Sequence, residues 1–138
     1  MATVDDCRLM DIRTVFDHRG TIAIVESELD VGFPIRRVYW TFDIPSQAVR
    51  AGHAHRALQQ VYVAASGSFE VLLDDGERQS SIRLYRPDQG LLLVPGIWRE
   101  ISHFSSNACL LVIASELYDE ADYIRDHADF LAGRTASR

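Results

Sequence analysis

Short β-forming runs, each closed by a turn, restrict this chain more than any other feature. The runs are TIAIVE (21–26), IRRVYWTF (35–42), QQVYVAA (59–65), SFEVLLD (68–74), SSIRLY (80–85), LLLV (91–94), WREISHF (98–104) and ACLLVIA (108–114). Between them stand SGS, DDG, RPDQG, PG and SSN, whose Gly, Pro, Asp and Asn residues set turn geometry. DDG between two runs predicts a hairpin. Many short strands at this spacing predict a sandwich or a small barrel. In DEADYIRDHADFL the period changes. Tyr123, Ile124 and His127 fall at helical spacing, with Phe130 and Leu131 one turn on, which predicts a C-terminal helix. The tail 132–138 is expected to fray. A length of 138 residues suits one domain, 1–138, with its core over about 11–131.

Charge and composition remove several function classes. The net charge is -6, which argues against nucleic acid as a partner. All 14 basic residues are arginine, so no lysine can form a Schiff base with a carbonyl. Carbonyl chemistry would then run by acid–base or metal catalysis. No apolar run approaches the roughly 18 residues that suggest a membrane span. The start, MATVDDCRLMD, is acidic and does not read as a signal peptide, so a cytoplasmic location is expected. Cys7 and Cys109 are too far apart in sequence to read as a ligand pair. They are expected to be free thiols, Cys109 in a core strand and Cys7 near a mobile terminus.

RAGHAHRALQQ (50–60) carries the chemistry. Alternate residues of a strand face the same way, so His53 and His55 project side by side. The order GHAHRALQQ, GS, DQGLLLVPGIWRE has the layout of the two cupin motifs, in which histidines and a glutamate bind metal. Here Gln60 stands at the glutamate-like position and Arg99 near the last histidine's position. A neutral amide is a poor ligand and a guanidinium has no lone pair to give. His103 could be recruited as a third ligand, but a strand end is the expectation for it. No metal is expected. Histidine titrates near neutrality, so the pair suits proton transfer between neighbouring atoms of a substrate. The bland alternative is a pair of satisfied polar residues at a barrel mouth.

These residues resemble the sugar-nucleotide 3,4-ketoisomerases of the cupin superfamily over roughly residues 11 to 131. The marks are DHRGTIAIVE, IRRVYWTFD, RAGHAHRALQQVYVAASGSFEVLLDDG and GLLLVPGIWREISHFSSNACLLVIASELYDEADYIRD, with YDEADYIR distinctive of the group. The resemblance implies an all-β cupin (jelly-roll-like) β-barrel with a short C-terminal helix. It implies a homodimer with an exchanged N-terminal strand, and a metal-independent, cofactor-free isomerase acting on dTDP-4-keto-6-deoxyglucose in deoxysugar biosynthesis. His53 and His55 match the family's paired histidines, and Tyr39 matches a position lining the same pocket. Proton transfer through an enediol-like intermediate would move the ketone from C4 to C3. One histidine would be the base, with the other histidine or Tyr39 relaying the proton.

For the nucleotide sugar, Arg50 is the first choice of cation, with Arg19 and Arg99 as further candidates. Trp98 could pack on the sugar or base, and Gln60 could bind a sugar hydroxyl. Arg99 departs from members that carry histidine there. The Arg19–Gly20 pair resembles the branch whose product has the galacto configuration at C4. No chemistry is assigned to YDEADYIR beyond capping the barrel or serving the dimer. Two other readings stand beside the isomerase: a metal-dependent cupin enzyme and a non-catalytic sugar-nucleotide-binding cupin.

Overall fold

The computed structural model describes residues 1–136. A 3-10 turn (Val4–Asp6) leads into β1 (Arg8–Asp11), a hairpin of β2 (Arg13–Asp17) and β3 (Gly20–Ile24), and the short helix α1 (Ser27–Val31). Eight strands follow: β4 (Arg37–Thr41), β5 (Arg50–His55), β6 (Gln60–Ser66), β7 (Phe69–Asp74), β8 (Gln79–Leu84), β9 (Gln89–Leu93), β10 (Trp98–Ser102) and β11 (Cys109–Ala114). The strand β12 (Tyr123–Ile124) and the helix α2 (His127–Ala136) come last.

The sheets run β1-β9-β6-β11-β4 and β12-β5-β10-β7-β8. Strands β4 to β11 split four and four between them, and only β7–β8 is a hairpin within one sheet. That is the jelly-roll arrangement, and every pairing in it is antiparallel. The DDG turn does form the predicted hairpin, β7 to β8.

Alternation along each strand builds two apolar layers. Tyr62 and Ala64 of β6, Leu91 and Leu93 of β9, and Leu110 and Val112 of β11 meet Phe69, Val71 and Leu73 of β7 between the sheets. The intervening residues Val61, Val63, Leu92 and Ile113 form a second cluster with Ile12, Val31 and Phe33 from the N-terminal segment. Strand β6 is therefore covered on both faces. Each fully buried aliphatic or Phe side chain contributes roughly 1.5–3 kcal/mol. Phe69→Ala would open a void at a cost of about 3–5 kcal/mol.

The N-terminal segment adds β1, β2 and α1 to the pattern-based reading. Strand β1 and strand β2 were not expected, because RTVFD and RLMD mix charge with few apolar residues. They form because β9 offers β1 a free edge and β3 offers β2 a partner. Cys7 is buried at 6% exposure in the inter-sheet core, so the terminus is packed there and not mobile.

The C-terminal helix begins at His127, later than its spacing suggested. Tyr123 and Ile124 instead pair with His55 and Ala54 of β5, so the strand's hydrogen bonds outweigh a local helical period. Asp126 starts the helix by accepting from Asp129 N–H at 2.9 Å. Residues to Ala136 are helical, and buried Arg134 donates to the Gly96 carbonyl at 3.1 Å. The expected fraying is therefore absent over 132–136; 137 and 138 lie outside the described residues.

Candidate active site

A bulge in β5 aims the histidines. Arg99 of β10 pairs with His53 and Glu100 with Ala51, leaving Gly52 as the extra residue. Ala51 has φ 66° and Gly52 φ 68°. Glycine adopts that region freely. Alanine there is strained by roughly 1–2 kcal/mol, a strain typical of functional sites. Bulges of this kind redirect a strand next to active sites. Beyond the bulge, His53 and His55 point into the barrel, ring centroids 4.8 Å apart and nearly perpendicular.

The two imidazoles have different surroundings. His55 is wholly buried, and its Nδ1 lies 3.1 Å from the Asp122 carboxylate. Asp122 also accepts from the backbone N–H of Ala57 at 2.8 Å and of Leu58 at 3.3 Å. An ionised carboxylate only accepts, so His55 carries its proton on Nδ1 and keeps a lone pair on Nε2. His53 has no such anchor, and among the described residues neither of its buried ring nitrogens has a hydrogen-bond partner. Burial first, and then the Arg99 guanidinium, lower both pKa values from 6.5 to about 3. Both rings are thus neutral near pH 7.

Arg99 lies at the barrel floor with no exposed surface. Its Nε donates to the Ile97 carbonyl at 3.2 Å and its Nη1 to Gln60 Oε1 at 2.8 Å, while Nη2 is unpaired. Gln60 Nε2 in turn lies 3.1 Å from the Tyr39 hydroxyl. Burial pushes the Tyr39 phenol well above its ordinary value, so it stays protonated at neutral pH. Native interiors rarely leave buried polar atoms unpaired. Among the described residues Arg99 Nη2, both nitrogens of His53 and Nε2 of His55 are without a hydrogen-bond partner in one small region, a concentration that a packed core rarely shows.

Two cavities open onto the pair. One of about 360 Å³ is lined by Arg37, Tyr39, Arg50, His53, Tyr123 and Arg125. The other, about 490 Å³, borders His55 and shares Arg37 and Tyr123 with the first. Cations dominate the first cavity. Arg125 is committed to Glu120, at 2.6 and 2.8 Å, and lies 4.1 Å from the Tyr123 ring centroid. Arg37 and Arg50 have no carboxylate partner among the described residues.

Five residues singled out in the sequence therefore meet here: Tyr39, Arg50, His53, His55 and Arg99, with Gln60 behind them. Gln60 has no exposed surface, its amide faces Arg99 and Tyr39, and it does not line the histidine cavities, so it does not front a sugar hydroxyl there. Trp98 points to the other face of β10, where it is 5% exposed, packs on His127 and Phe130, and donates to Glu100 at 2.9 Å. It does not line the histidine cavities. Arg19 sits at the tip of the β2–β3 hairpin, 78% exposed and paired with Asp17, away from them within this chain. His103 is exposed beside Glu70 and joins nothing in the site. Among the described residues no group of three or more His, Cys, Asp or Glu side chains could hold a metal ion.

The sequence reading missed Asp122, Tyr123, Arg37 and Arg125. Tyr123 pairs with His55 across β12 and β5, and its ring packs edgewise on both histidines, with centroids 4.9 and 4.4 Å away. Arg37 was within reach of strand alternation, because it is two residues from Tyr39. The other three lie in YDEADYIR, whose density of acidic and aromatic residues was the available signal.

The comparisons agree on one group of proteins. The family model described as FdtA: WxcM-like, C-terminal matches residues 5–135. A curated relative from Aneurinibacillus thermoaerophilus, a TDP-4-oxo-6-deoxy-alpha-D-glucose-3,4-oxoisomerase, is 39% identical over 123 residues, 89% of this chain and 88% of its own. The WlaRB TDP-quinovose 3,4-ketoisomerase of Campylobacter jejuni superposes with a TM-score of 0.88 at 42% identity, covering 92% of this chain and 98% of that one. The 3,4-ketoisomerase QdtA of Thermoanaerobacterium thermosaccharolyticum was solved as a histidine-to-asparagine mutant with TDP-4-keto-6-deoxyglucose. It superposes at 0.92 with 32% identity, covering 94% of each chain.

Proposed function

The chain belongs to the FdtA, WxcM-like C-terminal family, and we propose that it is a dTDP-sugar 3,4-ketoisomerase converting dTDP-4-keto-6-deoxyglucose to the 3-keto sugar. The observation that carries the reading is the neutral, unpaired His53 beside a protonated Tyr39 in one arginine-lined cavity.

In this mechanism His53 is the base. It removes the C3 hydrogen, which the adjacent carbonyl acidifies. The C3–H electron pair forms the C3–C4 double bond, and negative charge gathers on O4. Tyr39 protonates O4, giving the enediol. His53 then returns its proton to C4, while the O3 proton passes to the Tyr39 oxygen and C3 becomes the ketone. Protons and electrons balance, and no redox partner enters. His55, held by Asp122, fixes the neighbouring ring. Arg50 and Arg37 face the diphosphate.

The same reading includes a cytoplasmic homodimer that exchanges its N-terminal strand. The support for the dimer is the β2–β3 hairpin, which among the described residues pairs with no other strand and leaves Val15, Phe16 and Ile22 exposed, together with the bare outer face of β4 at Val38 and Trp40. Such an exchange would carry Arg19 toward a second copy's site. The galacto configuration at C4 rests on Arg19–Gly20 alone. A solved ketoisomerase named for quinovose is 42% identical and one named for fucose 28%, so overall identity lends the galacto series no support.

The test is NMR of chelator-treated protein with dTDP-4-keto-6-deoxyglucose in deuterated buffer, with a 3-aminotransferase trapping the product. Transfer of the carbonyl to C3 is expected, and the trapped amino sugar reports C4. Turnover only on adding metal would replace this reading with a metal-dependent cupin. Nucleotide binding without turnover would make the protein a binding module.

A further inference from the structure

We infer that Gln60 is a positioning residue that makes the Tyr39 phenol present its proton to the substrate. The inference rests on the ketoisomerase reading above. Arg99 sets the direction. A guanidinium only donates, and its Nη1 faces the Gln60 oxygen at 2.8 Å. The amide is thereby oriented, and Nε2 is the end that faces Tyr39 at 3.1 Å. An amide nitrogen also only donates, so the Tyr39 oxygen is the acceptor of that bond. Its own proton cannot return along the same line.

Tyr39 makes no other hydrogen bond among the described residues. The cavity it shares with His53 is the remaining direction for its proton. Gln60 has no exposed surface, so no solvent competes for the amide. The same N–H···O bond steadies the phenolate that forms once Tyr39 has given its proton to O4, before the O3 proton restores it. Without Gln60, the charge of Arg99 would reach the phenol by no bonded path.

Gln60→Glu tests this. The variant keeps the shape and the Arg99 contact but turns the end facing Tyr39 into an acceptor, which draws the phenolic proton away from the cavity. A kcat loss of about 10²-fold is expected, the low end of general-acid effects, with KM changed less than about threefold. In a Tyr39→Phe background the same change should cost nothing further, because Gln60 acts only through the phenol. An undiminished kcat for Q60E, or an equal loss in both backgrounds, would overturn the inference. If Q60E does not fold, Gln60→Leu removes the donor at similar volume and carries the same comparison. Wild-type turnover is measured alongside. Its absence rejects the ketoisomerase reading itself, whereas wild-type turnover with an intact Q60E rejects only the role of Gln60.

Discussion

His55 Nδ1 and Asp122 Oδ2 lie 3.1 Å apart although 67 residues separate them in the chain. The contact exists because β12 adds to the edge of β5, with Tyr123 opposite His55. It turns a segment with no assigned chemistry into the support of the histidine pair.

Asp122→Asn should break that support. An amide cannot accept at both of its ends, so either the His55 Nδ1–H or a backbone N–H of Ala57 or Leu58 loses its acceptor. Turnover is expected to fall by about 10²-fold, less than the ~10⁴-fold that follows loss of a carboxylate on the catalytic base itself, because Asp122 reaches His53 only through His55. Steady-state kinetics check it; a variant within threefold of wild type would show that His55 needs no anchor.

The lowered histidine pKa values predict the pH dependence of stability. Above pH 6.5 neither state takes up the proton. Between 6.5 and about 3 the unfolded imidazoles protonate while the native ones remain neutral. The unfolded state then binds more protons, so stability falls as pH falls, by up to about 1.4 kcal/mol per pH unit for each histidine. Urea titrations at several pH values measure this slope.

By the same shift, kcat/KM should show no inflection near 6.5, since the base is still neutral there. A pH–rate profile with an acid limb centred on 6.5 would mean that His53 titrates as an ordinary exposed imidazole.

Trp98 should matter for stability and not for substrate. It seals α2 against β10 through His127 and Phe130. Trp98→Ala is expected to cost about 3–5 kcal/mol of folding stability. Trp98→Phe, which keeps most of the packing, should leave KM unchanged. A large rise in KM for the Phe variant would return Trp98 to the binding site.

The hairpin predicts the assembly. Phe16 is 77% exposed on β2. If a second copy covers it, Phe16→Asp shifts the protein from dimer to monomer in sedimentation. An unchanged mass would place the interface elsewhere.

Local pattern was enough for most of the strands and for the histidine pair, though not for β1, β2 or β12. Turn residues and period-two alternation are local, and all eight predicted runs correspond to strands, with ends shifted by a few residues. His53 and His55 were legible for the same reason, because two residues apart on a strand means one face. Long-range contacts set the remainder. They moved Tyr123 from a helix to a strand, since a free edge on β5 offers hydrogen bonds that no local period reveals. They set Trp98 and Arg99 on opposite faces of one strand, the first under α2 and the second at the barrel floor, although both are buried and adjacent in sequence. They also assembled Arg99, Gln60 and Tyr39 from three strands in two sheets. Those contacts depend on which strands meet across the barrel, and the pairing energy that decides this comes from residues far apart in the chain.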